Sequence, residues 1–335
     1  MLHHSSSLQV LPGRLRFAML MKLFSLLFAF VAFATAIRAQ DTSLHDWLLE
    51  GEGWKVAAEG YTFTDGLCVD KAGNLYFTDV KAGKGIYKID AATGKSSLFI
   101  DNLPGISGLQ LGPDGKFYAC HNKEQRVIRF GDDGQPEVLL TGIKCNDLAV
   151  TASGFVYITE TPTKRIHLIT PDKQHRVVDE GHVSKPNGIS ISPDSRTLAV
   201  SDMGGKNVWA WTIGEDGSLT GAAPFMTMQT PLLADQSGAG KPGERPANLP
   251  AYKAESGGDG MTTDAGGRYY VTSTLGVQVF DQAGRLSGII AKPTPDAKVV
   301  SAEIAGKDHD VLFIAAGDKI MSRKLKVKGF FGTTF

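Results

Sequence analysis

Four short turns in this chain carry a side-chain oxygen that could ligate a hard cation. They are Thr64-Asp65-Gly66-Leu67, Cys145-Asn146-Asp147-Leu148, Pro186-Asn187-Gly188-Ile189 and Gly258-Asp259-Gly260-Met261. Two carboxylates (Asp65 and Asp259) and two amides (Asn146 and Asn187), with no His or Cys among them, form a donor set that suits a calcium-like divalent cation. Weaker copies of the same turn carry Ser107 and Ser301. The steps from Asp65 through Ser107, Asn146, Asn187 and Asp259 to Ser301 are 42, 39, 41, 72 and 42 residues.

Residues some forty positions apart can meet only if a repeated unit brings them together. Each turn is followed by an alternating apolar stretch, a tight turn and a second such stretch, which is the pattern of a propeller blade. Six units predict an all-β, six-bladed β-propeller with four-stranded blades, spanning 40–335 as one domain. Blade one reads as strands at 66–70, 74–78, 85–89 and 96–100, with hairpin turns at Ala72-Gly73 and Thr93-Gly94. The last unit begins at Val299 and runs out near Lys326 after three strands. Trp54–Ala58, ahead of blade one, is the candidate for its missing outer strand, which would close the ring and leave no sheet edge open.

The one long step has a location. Between residues 230 and 257 Gly and Pro displace any strand pattern, so a long loop is expected on the rim that carries the four oxygen donors. It reads as a lid over the site, the alternative being a surface excursion without a role. Second strands run back toward that rim and end at Asp79, His121, Glu160, Asp202 and Ser273. These ends are expected to line a polar pocket around the cation, with Glu160 and Asp202 as substrate contacts. His121 would be a proton carrier there, because imidazole exchanges protons near neutral pH.

The start of the chain reads as an export signal. Arg14, Arg16 and Lys22 precede an apolar run from Leu23 to Ile37, and Ala36-Ile37-Arg38-Ala39 offers a cleavage site before Gln40. The apolar run is short for a membrane span. The mature chain is therefore expected to be periplasmic or secreted, with no membrane span. The whole chain has 35 Lys+Arg against 35 Asp+Glu; four basic residues and no acidic one leave with residues 1–39, so the remainder is mildly acidic. That balance argues against nucleic acid as a partner. Three cysteines, Cys68, Cys120 and Cys145, do not make a disulfide framework.

Taken together and in this order, Thr64-Asp65-Gly66, Lys144-Cys145-Asn146-Asp147, the run Pro186–Asp194 and Asp259–Asp264 resemble the senescence marker protein/gluconolactonase (regucalcin-like) family. The resemblance covers about 54–326. It implies a six-bladed propeller with one divalent cation at the axis, most often calcium, with zinc, manganese or magnesium as alternatives, and hydrolysis of a small-molecule lactone. It implies Asp65, Asn146, Asn187 and Asp259 as metal ligands, with Asp259 also the candidate base. Blade one departs from the family's Glu-Gly-Pro, since Asp65 is one methylene shorter. Lys144 stands where the family often carries Arg and is the candidate for holding a substrate oxygen; Ser107 stands where some relatives carry Asn. Phosphotriesterases of the diisopropylfluorophosphatase type use similar oxygen ligands, and a non-catalytic propeller plugged by its cation would carry the same turns, so both remain alternatives to a lactonase.

Overall fold

The second strand of every blade is buried on both faces, and that single fact organises the molecule. The computed structural model describes residues 44–232 and 252–330; the expected signal segment 1–39 and the 233–251 part of the long loop lie outside them. All residues of Leu75–Asp79, Phe117–His121, Val156–Glu160 and Tyr269–Ser273 are buried, and all but the first of Thr197–Asp202 and Val311–Ala316. Such strands read as continuous apolar runs because a neighbouring blade covers each face. Outer strands such as Ser96–Ile100 and His175–Glu180 are largely exposed, as the rim of a ring must be.

Six four-stranded antiparallel sheets result, five of them in chain order from the inner strand outward. Their inner strands are Thr64–Val69, Gly108–Leu111, Leu148–Val150, Pro186–Ile191, Met261–Thr263 and Val299–Ala305. The sixth blade is completed by Lys55–Glu59, which pairs antiparallel with Lys319–Lys324 and so ties the two ends of the chain together. The ring closure expected from the sequence is therefore present, with the strand shifted one residue from 54–58.

Six apolar clusters fill the molecule, one in each seam between adjacent blades. Between blades one and two, for example, Tyr76, Phe117 and Phe130 stack edge-on and face-on with Ile86, Ile106 and Ile128. Between blades five and six, Trp47 is fully buried against Tyr270, with ring centroids 6.1 Å apart at 88°. Burial of whole aromatic and branched side chains in each seam is the main stabilising term. All three cysteines are free and buried, Cys68 and Cys120 each belonging to a seam and Cys145 to the same seam as Cys120.

The chain does not stop at Lys326. Lys328 O accepts from Ala265 N at 2.8 Å, Gly329 N donates to His309 O at 2.8 Å and Phe330 N donates to Thr263 O at 3.1 Å. This segment crosses the end of the central channel away from the four donor turns and places Phe330 in its lining. Among the described residues no helix is long and apolar enough to cross a membrane.

Candidate functional site

Asp65, Asn146, Asn187 and Asp259 stand at the heads of four inner strands and line one axial cavity of about 80 Å³, together with Ser107 and Ser301. A cavity of that size has room for a cation and several waters. The local sequence explains the convergence. The residue after a donor is often glycine because the next blade comes too close for a side chain: a Cβ on Gly188 would lie 2.2 Å from Asp259 O. Gly66 has φ +54 and ends the turn that aims Asp65 inward, with its own N–H donating to Asp65 Oδ1 at 2.9 Å. Regular pairing breaks between Asp65 and Cys68 and again between Pro186 and Ile189, so Asp65 and Asn187 sit at irregularities that turn them off the sheet.

Hydroxyl groups stitch the donor backbones across the seams. Thr159 Oγ1 donates to Asn187 O at 2.7 Å, Ser201 Oγ to Asp259 O at 2.9 Å, Ser107 Oγ to Asn146 O at 2.6 Å and Thr78 Oγ1 to Ile106 O at 2.9 Å. Each of these bonds fixes one blade's donor turn to the blade before it.

The cavity is acidic beyond expectation. Asp147 and Glu303 join Asp65 and Asp259 in its lining, and among the described residues no Lys or Arg does. Burial pushes the Asp65 carboxyl up to about 7 against the pull of the Gly66 N–H. Burial does the same for Asp147, with the Asp65 charge adding to it, and for Glu303, each to about 7. Asp259 is driven well above the ordinary carboxylate range by burial and by the charges of Asp65 and Asp147. Buried carboxylates in mutual repulsion with no cationic side chain beside them fit a bound cation, which would relieve both penalties. Among the described residues no three His, Cys, Asp or Glu stand ready as a cage; the axial donors number four only because two are asparagines. An all-oxygen set of that make-up fits calcium or magnesium better than zinc.

Sequence reasoning missed Asp147 and Glu303. Glu303 had a signal: it lies two residues beyond Ser301 and so shares that residue's face of the strand. Asp147 had none, because the strand begins only at Leu148 and alternation does not apply before it.

The second ring corrects an expectation. Asp79, His121, Glu160, Asp202 and Ser273 do stand together at the ends of second strands, but none lines the axial cavity. Their polar atoms are bonded to backbone groups and side chains of the protein itself. Asp79 accepts from Thr62 N and Phe63 N, both at 2.9 Å. Asp202 accepts from Ser184 N, Ser184 Oγ, Lys185 N and Gly204 N at 2.7–3.1 Å. Glu160 accepts from Lys144 N at 2.8 Å, from Thr163 Oγ1 and from His167 Nε2 at 3.1 Å. Burial raises the Glu160 carboxyl, and those hydrogen bonds outweigh it to leave it lowered. Glu160 and Asp202 thus direct their carboxylates to groups of the protein itself.

His121 is corrected for the same reason. It is 3 % exposed, its Nε2–H donates to Pro104 O at 2.9 Å, and its Nδ1 accepts from Arg126 Nε at 3.3 Å. Burial and the Arg126 charge lower its pKa, and both ring nitrogens are engaged within the protein. Lys144, by contrast, is exposed, two residues ahead of Asn146.

With the geometry in view, comparison with known proteins is informative. Residues 63–318 match the family described as the SMP-30/Gluconolactonase/LRE-like region. The chain is similar to a gluconolactonase of Zymomonas mobilis, 25 % identical over 250 residues, covering 68 % of this chain and 65 % of that protein. It is also similar to the lactonase drp35 of Staphylococcus aureus, 22 % identical over 185 residues, covering 50 % of this chain and 57 % of the relative. The matched part is thus less than two thirds of either relative's length. Two solved structures share the fold. One is a gluconolactonase from Xanthomonas campestris, with TM-score 0.66, 21 % identity and coverage of 83 % of this chain and 91 % of that one. The other is a calcium-binding regucalcin from Agrobacterium tumefaciens, with TM-score 0.64, 16 % identity and coverage of 84 % and 96 %.

Proposed function

The chain belongs to the SMP-30/gluconolactonase/LRE-like family, and from that premise we propose that it hydrolyses lactones, sugar-acid lactones first among them, at one axial divalent cation. The observation that carries the reading is the meeting of four oxygen donors from four blades in an acidic cavity that, among the described residues, has no cationic side chain in its lining. Asp65, Asn146, Asn187 and Asp259 would hold the cation, calcium by preference. When bound, such an ion polarises a carbonyl oxygen as a Lewis acid.

The chain's own residues account for the remaining steps. Asp259 takes the proton of a water as its oxygen bonds to the lactone carbonyl carbon. Collapse breaks the ring C–O bond, and the proton passes from Asp259 to the departing oxygen, leaving a hydroxy acid. The Lys144 ammonium orients a substrate oxygen at the mouth. Export is part of the proposal, motivated by the basic start, the apolar run and the Ala39-Gln40 junction; an N-terminus near Gln40 in protein recovered from the host's envelope is the expected mass-spectrometric result, and a mature chain retaining 23–37 would refute it.

The test of activity follows proton release from a panel of γ- and δ-lactones in the presence of calcium. Asp259→Asn keeps an oxygen donor of the same size and removes the base, so turnover is expected to fall while metal binding persists. Paraoxon and diisopropylfluorophosphate belong in the panel. Turnover of these alone would move the assignment to phosphotriester hydrolysis; calcium binding with no turnover of any substrate would leave a calcium-binding propeller.

A further inference from the structure

We infer that Asp79, Glu160 and Asp202 are positioning residues that preset the loops delivering Asp65, Asn146 and Asn187, so that the cation site is assembled before the cation arrives. The inference rests on the axial cation proposed above. The three carboxylates occupy one register position, the last residue of the second strand, and each is only 5 % exposed. Each accepts the backbone N–H two residues ahead of its own blade's donor: Phe63 ahead of Asp65, Lys144 ahead of Asn146, Lys185 ahead of Asn187. A charge withdrawn from water and bonded to backbone N–H groups holds those groups by short, directional contacts.

The residue just before each carboxylate reaches the other way. Thr78, Thr159 and Ser201 donate to backbone carbonyls in the axial turn of the following blade, at Ile106 beside Ser107, at Asn187 and at Asp259. A hydroxyl–acid dipeptide therefore grips its own donor loop with one side chain and the next blade's turn with the other. Three such dipeptides link blade one to blade two and blades three, four and five to one another, and a displaced donor loop would strain its neighbour.

The distribution of this dipeptide follows the donors rather than the fold. Blades two and six present Ser107 and Ser301 instead of a proposed ligand, and their second strands end in Cys120-His121 and Ala315-Ala316. Blade five supplies Asp259 and is braced differently: Gly258 N donates to Ser256 Oγ at 3.2 Å and Thr274 Oγ1 donates to Ser256 O at 2.9 Å. A brace needed only to hold the blade together would not favour donor blades in this way. Residues that orient ligands from outside are ordinarily worth about 10–100-fold in metal affinity.

The test is calorimetric titration of calcium into the full chain and its isosteric variants Asp79→Asn, Glu160→Gln and Asp202→Asn, at a temperature where circular dichroism shows each folded. Each variant is expected to bind calcium about 10–100-fold more weakly. Asp281→Asn is the control: Asp281 is equally buried and accepts from Ala283 N, Arg285 N and Arg285 Nε at 2.7–2.9 Å, but in a turn on the opposite rim. Its calcium affinity is expected to stay at the parent value. A parent that binds calcium and variants that match it, or that weaken no more than Asp281→Asn, would overturn the positioning role alone. A parent that binds no calcium would overturn the axial cation and the positioning with it. Should one variant fail to fold, the other two decide, since each brace serves a different donor.

Discussion

Calcium uptake by this protein should expel protons, and the number expelled can be worked from the cavity. Asp65, Asp147 and Glu303 titrate near 7, where ordinary aspartate and glutamate titrate at 3.8 and 4.5. At about 1.4 kcal/mol per pH unit, keeping Asp65 ionised in the empty cavity costs at most ~4 kcal/mol, an upper bound because the carboxylate is partly open to cavity water. These folded-state values are raised, so in the calcium-free protein their contribution to stability is full below about pH 4 and is lost as pH rises through about 7. His121, His167 and His175 are lowered, chiefly by burial, and act oppositely below about pH 6.5. Comparing calcium-loaded with calcium-free protein at one pH cancels the histidines. At pH 6 at least one proton should leave per calcium bound, and affinity should climb about tenfold per pH unit for each proton displaced between roughly pH 5 and 7. Titration calorimetry in two buffers of different ionisation enthalpy counts the protons directly. Calcium binding at pH 6 with no proton release, and an affinity flat from pH 5.5 to 8, would refute the description of the cavity as a cluster of protonated carboxylates.

Three further outcomes follow from the packing. Gly188→Ala puts a Cβ 2.2 Å from Asp259 O, and should cost about 1–3 kcal/mol of stability and weaken calcium binding, read by thermal melting and titration. Thr159→Val leaves the buried Asn187 carbonyl without its 2.7 Å donor; a loss of about 1–3 kcal/mol is expected, and an unchanged denaturant midpoint would contradict the stitching of the blades. Deleting residues 40–59 removes the partner of Lys319–Lys324 and exposes that strand's edge, so size-exclusion chromatography should show self-association where the parent shows one discrete species.

The architecture was legible because it is written six times. A turn recurring at 39–42 residues, with one long step, specified the blade count, and three strands after Val299 demanded a fourth from the start of the chain. The convergence of Asp65, Asn146, Asn187 and Asp259 on one cavity was legible for the same reason. What was not legible depends on partners distant in sequence. Glu160 and Asp202 looked available because a strand end and a charge can be read from one segment, whereas the N–H groups that occupy them lie 16–18 residues away in the lead-in loop. His121 was misread alike, its ring nitrogens being engaged by Pro104 and Arg126. The segment 327–330, which has no repeat to announce it, proved to reach the far end of the channel.

The strand that closes the ring also sets when the ring can exist. Lys55 and Ser322 are partners across 267 residues of chain, so the first strand made must wait for the last one before the sixth blade has four members. Contacts of such long span slow folding, because loop closure is completed before they stabilise anything. A chain passed head first through a narrow export channel would therefore carry its closing strand out alone and stay open throughout transit. Only when Lys319–Lys324 has followed can the propeller form, on whichever side of the membrane both ends have reached.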